Sequence, residues 1–267
     1  MVNLTQLFGT PHPVALVTGS GAPRIGNCVA RALAQRGYRL AIHAHTSLSD
    51  AQTTGDELGA GSGDAIVLSA DLRNEVETRQ LVDRVQHHFG RLDVLVNCAA
   101  IWEAKAFEEI AAGDVRKHWE VNTLATFVCC QQAGLLMVKQ ATGGAIVNIG
   151  DWAIVRPYRD HAAYFPSKGA IPTLTRNFAV ELAARNPQVR VNAVLPGPVT
   201  LPHDLPADQR QAAINSTLVK RAGSPQNVAD AVVFLLENDF VTGVNLPVDG
   251  GRTIYSPEIE PTSALNI

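Results

Sequence analysis

The chain has 267 residues, with 22 Lys+Arg against 25 Asp+Glu and a formal charge of −3. At that length one α/β unit with a large core is expected rather than two domains. With neither a basic stripe nor an acidic tail, the electrostatic footprint of nucleic-acid binding is missing, and a nucleic-acid partner is not expected.

The opening stretch MVNLTQLFGTPHPVALV has no basic segment ahead of an apolar run, and no run of about eighteen apolar residues follows anywhere. A soluble, cytoplasmic protein with no membrane contact is expected. Short β-rich runs then alternate with helix-length amphipathic runs, the mark of βαβ units. Strands are predicted at 14–18, 40–45, 65–69, 94–97, 145–149, 191–195 and 246–248. Most are continuously apolar, as strands covered on both faces must be, so a parallel, doubly wound sheet is expected. Helices are predicted at 26–35, before Gly37, and at 74–89, before Gly90, each glycine suited to a left-handed C-terminal position. The proline-rich segment 196–206 is too broken for strand or helix and reads as a mobile active-site loop. One domain over 1–267 follows, with a nucleotide-binding half at about 12–150, a catalytic and substrate-binding half at about 151–252, and an irregular tail at 253–267. Cys28, Cys98, Cys129 and Cys130 have no metal-ligand spacing and read as reduced thiols; no metal site is expected.

The first strand runs into Thr18-Gly19-Ser20-Gly21-Ala22-Pro23-Arg24-Ile25-Gly26, where a helix begins. A strand, a glycine-rich turn and a helix N-terminus make an anion site, because unpaired N–H groups and the helix dipole face the ligand. The second strand ends in His43-Ala44-His45-Thr46-Ser47, without the acidic residue that grips a ribose 2′-hydroxyl. His45, Thr46, Ser47 and Arg24 offer donors to a 2′-phosphate, so NADP(H) is the expected cofactor. Further on, Tyr164-x-x-x-Lys168 sets a phenol and an ammonium on one helix face, one turn apart.

These motifs, with Asp71-Leu72, Asn97-Cys98-Ala99-Ala100, Asn122, Pro196-Gly197 and Val248-Asp249-Gly250-Gly251 in that order, resemble the short-chain dehydrogenase/reductase family across about residues 12–252. The resemblance implies a Rossmann-like domain, usually tetrameric. It places Gly19, Ser20, Ile25, Gly26, Ala99, Pro196, Gly197 and Val199 against the cofactor, Asp71 and Leu72 beside the adenine, and Asn97 along the ribose-nicotinamide channel. Asn122 would hold backbone and a water near Lys168. Lys168 would bind the nicotinamide ribose and lower the pKa of Tyr164, the proton donor.

One departure decides the substrate reading. Most of the family has a serine where this chain has Asp151, and an ionised carboxylate about 4 Å from a developing alkoxide would repel it by roughly 4 kcal/mol at an effective dielectric of 20. A C=N acceptor needs a proton on nitrogen, and there an acid is suitable. Asp151, Tyr164 and Lys168, with Arg24 and with Trp102 as a stacking face, resemble the pteridine reductase and dihydromonapterin reductase branch. The main expectation is therefore NADPH-dependent reduction of a pterin or a similar nitrogen heterocycle. A carbonyl reductase using protonated Asp151 or a water is the second reading, and a non-catalytic nucleotide-binding regulator the third. Cys98, Ala100, Thr46 and a glycine turn one residue longer depart from the branch. Trp152, Arg156, Tyr158 and His161 either line the pocket or sit as solvated loop residues.

Overall fold

Apolar runs rich in Val, Ile, Leu and Ala make stable strands where helices cover both faces, and this chain supplies both layers. The computed structural model describes residues 2–201 and 204–255. In its first half α1 (Leu4–Phe8), β1 (Val14–Thr18), α2 (Ile25–Ala34), β2 (Arg39–Ala44), α3 (Leu48–Glu57), β3 (Ala65–Ser69), α4 (Glu75–Phe89) and β4 (Val94–Asn97) follow one another. The second half carries α5 (Ala112–His118), α6 (Ala125–Met137), β5 (Gly144–Ile149), α7 (Phe165–Ala183), β6 (Val189–Pro196), α8 (Ala207–Asn215), α9 (Pro225–Glu237) and β7 (Asn245–Val248).

The strands form one parallel sheet in the order β3-β2-β1-β4-β5-β6-β7. Period-two alternation divides each strand between two cores. Ala15, Val17, Val94, Val96, Ala145 and Val147 pack towards α2 and α9, through Val29, Leu33, Val232 and Leu236. Leu16, Leu95, Ile146 and Val191 pack towards α4, α6 and α7, through Leu81, Val85, Met137 and Leu182. The strand order reverses beside β1, which pairs with β2 on one edge and β4 on the other. That reversal opens a crevice at the C-terminal ends of β1 and β4, the place where open α/β sheets take ligands.

Local chemistry sets the helix ends. Asn74 caps α4 by accepting from the N–H groups of Val76 and Glu77, and Gly90 closes it at φ 76°. The second strand ends at Ala44, one residue earlier than predicted, so His45 lies outside the sheet. The sixth strand is longer than predicted and reaches Pro196. Beyond it, the N–H of Gly197 donates to Val248 O and that of Gly223 to Pro198 O, tying the start of the proline-rich loop to the sheet edge. Pro202 and His203 of that loop, and residues 256–267 of the expected irregular tail, lie outside the described residues. No helix among the described residues is long and apolar enough to cross a membrane.

Candidate active site

The glycine turn after β1 is shaped by close backbone approach. Gly19 has φ +65°, and a Cβ there would lie 2.8 Å from the Cα of Ala99; a Cβ on Gly26 would lie 2.5 Å from the carbonyl oxygen of Gly19. The turn, the start of α2 and the segment after β4 therefore meet with no room for side chains, a cradle of the kind a pyrophosphate needs. Arg24 stands exposed at the N-cap of α2, and the first N–H groups of that helix, from Ile25 onward, have no carbonyl within it. These residues fit a dinucleotide.

Several residues not singled out from the sequence hold this cradle. Thr18 Oγ1 accepts from the N–H groups of Cys98 and Ala99 at 3.1 and 3.2 Å, joining β1 to the segment after β4. The buried His43 accepts from the N–H of Gly19 at Nδ1 (3.1 Å) and faces Ala70 O with Nε2 (3.1 Å), which fixes the Nε2–H tautomer. Burial lowers its pKa, so it stays neutral beside the anion site. Asn27 donates to Ser20 O and Thr54 Oγ1, bracing the turn against α3. The only advance signal was position for Thr18 and Asn27, which flank the glycine run; nothing local pointed to His43.

The expected cofactor residues divide into those that face the crevice and those whose side chains are engaged elsewhere. Ser20 is fully buried, and its hydroxyl donates to Val17 O. Asn97 turns its amide inward to Asn148 Oδ1 at 2.9 Å, so only its backbone is free to border a ligand. Asp71 accepts from Arg73 Nε and Nη2, which pulls its carboxyl down to about 2, and lies 3.9 Å from His45 Nε2. His45 and Thr46 are exposed, Ser47 half-buried at the N-cap of α3, and Leu72 buried beside Asp71. Pro196, Gly197 and Val199 line the start of the loop after β6, where a Cβ on Gly197 would meet the Cα of Asp249 at 2.5 Å.

The proposed chemistry gathers at the end of β5 and the start of α7. Asp151 Oδ2 accepts from the Tyr164 hydroxyl at 2.7 Å, while Oδ1 accepts from the N–H of Ala153 at 2.8 Å. The carboxylate is thus held by a phenol on one side and a turn on the other. Lys168 Nζ is buried and donates to Ile149 O at 2.8 Å; burial lowers its pKa to about 8, with Asp151 opposing. The lowered phenol pKa expected of the Tyr164–Lys168 pair is not what the structure shows. Burial first, and then the charge of Asp151, raise Tyr164 well above its ordinary value, because the phenol faces a carboxylate while the ammonium faces a backbone carbonyl.

Asn122 lies in a π-helical turn, Trp119–Leu124, between α5 and α6. Its Oδ1 accepts from the N–H of Ile101 at 2.8 Å, and its Nδ2 donates to Ile101 O and Ser167 Oγ, both at 3.0 Å. It therefore joins the segment after β4 to α7, one residue ahead of Lys168. Ser167, unremarked in the sequence, also donates to Tyr164 O at 2.6 Å.

An aromatic wall stands over this cluster. Trp102 is half exposed, stacks on His161 with ring centroids 4.7 Å apart, and donates through Nε1 to Tyr158 Oη at 3.1 Å. His161 covers one face of the indole, leaving at most the other for a flat ligand. His161 is buried and meets the Tyr164 ring edge-on at 6.4 Å, and Trp152 is buried behind Asp151, so neither is a solvated loop residue. The Cys129 thiol is pushed up to about 12 by burial and is no nucleophile.

Comparison with known proteins agrees with this geometry. A family model described as enoyl-(acyl carrier protein) reductase matches residues 21–253. The chain is 34% identical over 232 residues to a 3-oxoacyl-(acyl-carrier-protein) reductase of Bos taurus, covering 86% of this chain and 94% of that protein. It is 32% identical over 236 residues to carbonyl reductase family member 4 of Xenopus laevis, covering 88% and 96%. Glucose 1-dehydrogenase 2 of Bacillus subtilis is 30% identical over 252 residues, covering 92% and 96%.

Proposed function

We propose, for a chain that belongs to the short-chain dehydrogenase/reductase family, the reduction of a carbonyl group with NADPH. The relatives named above act, by their names, on oxoacyl groups, carbonyls and glucose. They support a carbonyl acceptor over the pterin expected from Asp151. The observation that carries the reading is the Tyr164 hydroxyl, whose proton lies in a 2.7 Å bond to Asp151 beside a buried Lys168.

A reduced nicotinamide, when bound, supplies hydride to the acceptor carbon. Gly19, Gly26, Ile25 and Arg24 would hold its phosphates, and Lys168 its nicotinamide ribose. The chain's own task is to bring a proton to the developing alkoxide. Tyr164 delivers it, and Asp151 takes the place of the family's usual hydroxyl only while it is protonated, when it donates to the same oxygen instead of repelling it. In Asp151→Ser the carboxyl is removed, and ketone activity holds or rises.

The 2.7 Å bond from the phenol to a carboxylate also favours a second reading, proton delivery to the nitrogen of a C=N bond. It predicts the opposite response, with Asp151→Ser losing dihydropterin reduction by about two to four decades. Measuring both acceptors in both proteins separates the two.

NADPH over NADH is supported by the run 45–47, which has no carboxylate, and by its place ahead of α3, whose N-terminal dipole favours a 2′-phosphate. Exposed Arg24 adds a cation. A kcat/KM at least tenfold higher with NADPH is expected; equal values with the two cofactors would contradict the assignment.

A further inference from the structure

At Trp152, the residue after Asp151, the chain forms an open cavity of about 220 Å³ that the proton-transfer cluster does not use. Its walls include Trp152, Tyr158 and Tyr255, and two guanidinium groups, from Arg156 and Arg252. Tyr158 joins it to the catalytic cluster, since its hydroxyl accepts the indole N–H of Trp102. The Arg252 guanidinium sits over the Trp152 ring, 4.2 Å from its centroid. Arg156 is held by its Nη1, which donates to Arg252 O at 3.1 Å and to Tyr255 O.

Neither arginine forms an ion pair among the described residues. The two nearby acids are already engaged. Asp151 accepts from Tyr164 and Ala153, and Asp249 accepts from the N–H groups of Gly251 and Thr253 at 2.9 and 2.6 Å. A third cation, Lys220, sits over the Tyr255 ring at 4.3 Å. Burial lowers the pKa of Arg252 and Arg156 adds to this, while Tyr158, Asp151 and Asp249 oppose it. Half-buried guanidinium groups that line one cavity without an ion-pair partner in contact are costly unless an anion joins them.

We infer that this cavity binds an oxyanion, a carboxylate or phosphate, carried by the substrate whose carbonyl reaches Tyr164. Guanidinium forks match such groups in two-point hydrogen bonding. The inference rests on the carbonyl reading for its reaction but not for its anion site. The substrate is then an oxo acid or oxo phosphate rather than a neutral ketone.

The test uses the full chain with NADPH and two acceptors, acetoacetate and its methyl ester, which differ in the charge and not in the ketone. The acid should exceed the ester in kcat/KM by about 10- to 100-fold, the usual worth of a charged hydrogen-bonded contact. In Arg252→Gln and in Arg156→Gln that ratio should fall towards one through KM for the acid. A wild-type ratio near one, or one unchanged in both variants, overturns the proposal.

A second readout does not need turnover. Inorganic phosphate should raise the wild-type Tm above that in sodium chloride of matched ionic strength, and should do so less in each variant. If phosphate does so while neither acceptor is reduced, the carbonyl reading fails and the anion site stands. No phosphate effect, or an equal one in the variants, removes the anion site. Glu258 and Glu260 follow Tyr255 in the chain. If phosphate acts only on Glu258→Gln/Glu260→Gln, the chain's own acids neutralise the arginines and the proposal is overturned.

Discussion

A carboxylate that accepts from a catalytic phenol does two things at once. It fixes the hydroxyl, and it makes the loss of the phenolic proton harder, as the raised pKa of Tyr164 shows. On the proposed carbonyl reading, Tyr164 thus serves as a proton donor rather than a base. Lys168 answers to a different force. Burial disfavours its ammonium, so in the folded chain the proton leaves at about pH 8, against the ordinary 10.5 when unfolded. Between those values the unfolded chain binds more protons, and stability attributable to this residue rises with pH. Relative to Lys168→Met, the wild type should gain up to about 3 kcal/mol from pH 8 to 10.5, read from denaturant unfolding at each pH. A difference that stays flat across the range would show that the ammonium is not desolvated.

At the scale of elements, the π-helical turn at Trp119–Leu124 presents Asn122 to Ile101 and Ser167 at once. Such turns interrupt α-helices where a function needs a side chain displaced from the regular spiral. Asn122→Ala leaves the Ile101 N–H and carbonyl without their side-chain partners and should cost about 1–3 kcal/mol of stability together with a loss in kcat/KM. Asn122→Asp keeps the acceptor and should fall between; thermal unfolding and NADPH oxidation by each variant check the order. The alternation of apolar strands with helical runs made the sheet legible, because the period of a covered strand is a property of a few neighbouring residues. Tyr164, Lys168 and Asn122 were legible through their spacing. What escaped depends on contacts across the fold. Nothing local marks His43 as the partner of Gly19, or Ser167 as that of Asn122. The pKa of Tyr164 was expected to fall because Lys168 is its neighbour on the helix, and it rises because burial takes the phenol out of water and Asp151, from a different segment, faces its hydroxyl. Pro172 lies inside α7 although it removes a helical N–H, and burial of Ile171, Thr175 and Phe178 holds the helix through it.

For the whole molecule, the strand order reversal beside β1 places the glycine turn, Asn97 and Asp151 along the edge of a single crevice. Outside that crevice, apolar side chains remain exposed on the helices that carry the catalytic residues, Leu124 and Leu135 near α6 and Val180 on α7, and Phe234 and Phe240 lie exposed on and beyond α9. We propose that these surfaces cover one another in a homotetramer with two-fold axes. Light scattering at micromolar concentration should give four times the mass of the chain, and a monomer would contradict the assembly. The proposed carbonyl reduction by proton transfer from Tyr164 is tested by the rate of NADPH oxidation with a ketone and with dihydrobiopterin as acceptors, in the wild type and in Tyr164→Phe. Ketone turnover should fall by about two to four decades in the variant. Turnover of dihydrobiopterin with none of the ketone, or ketone turnover unaffected by the loss of the phenol, would contradict it.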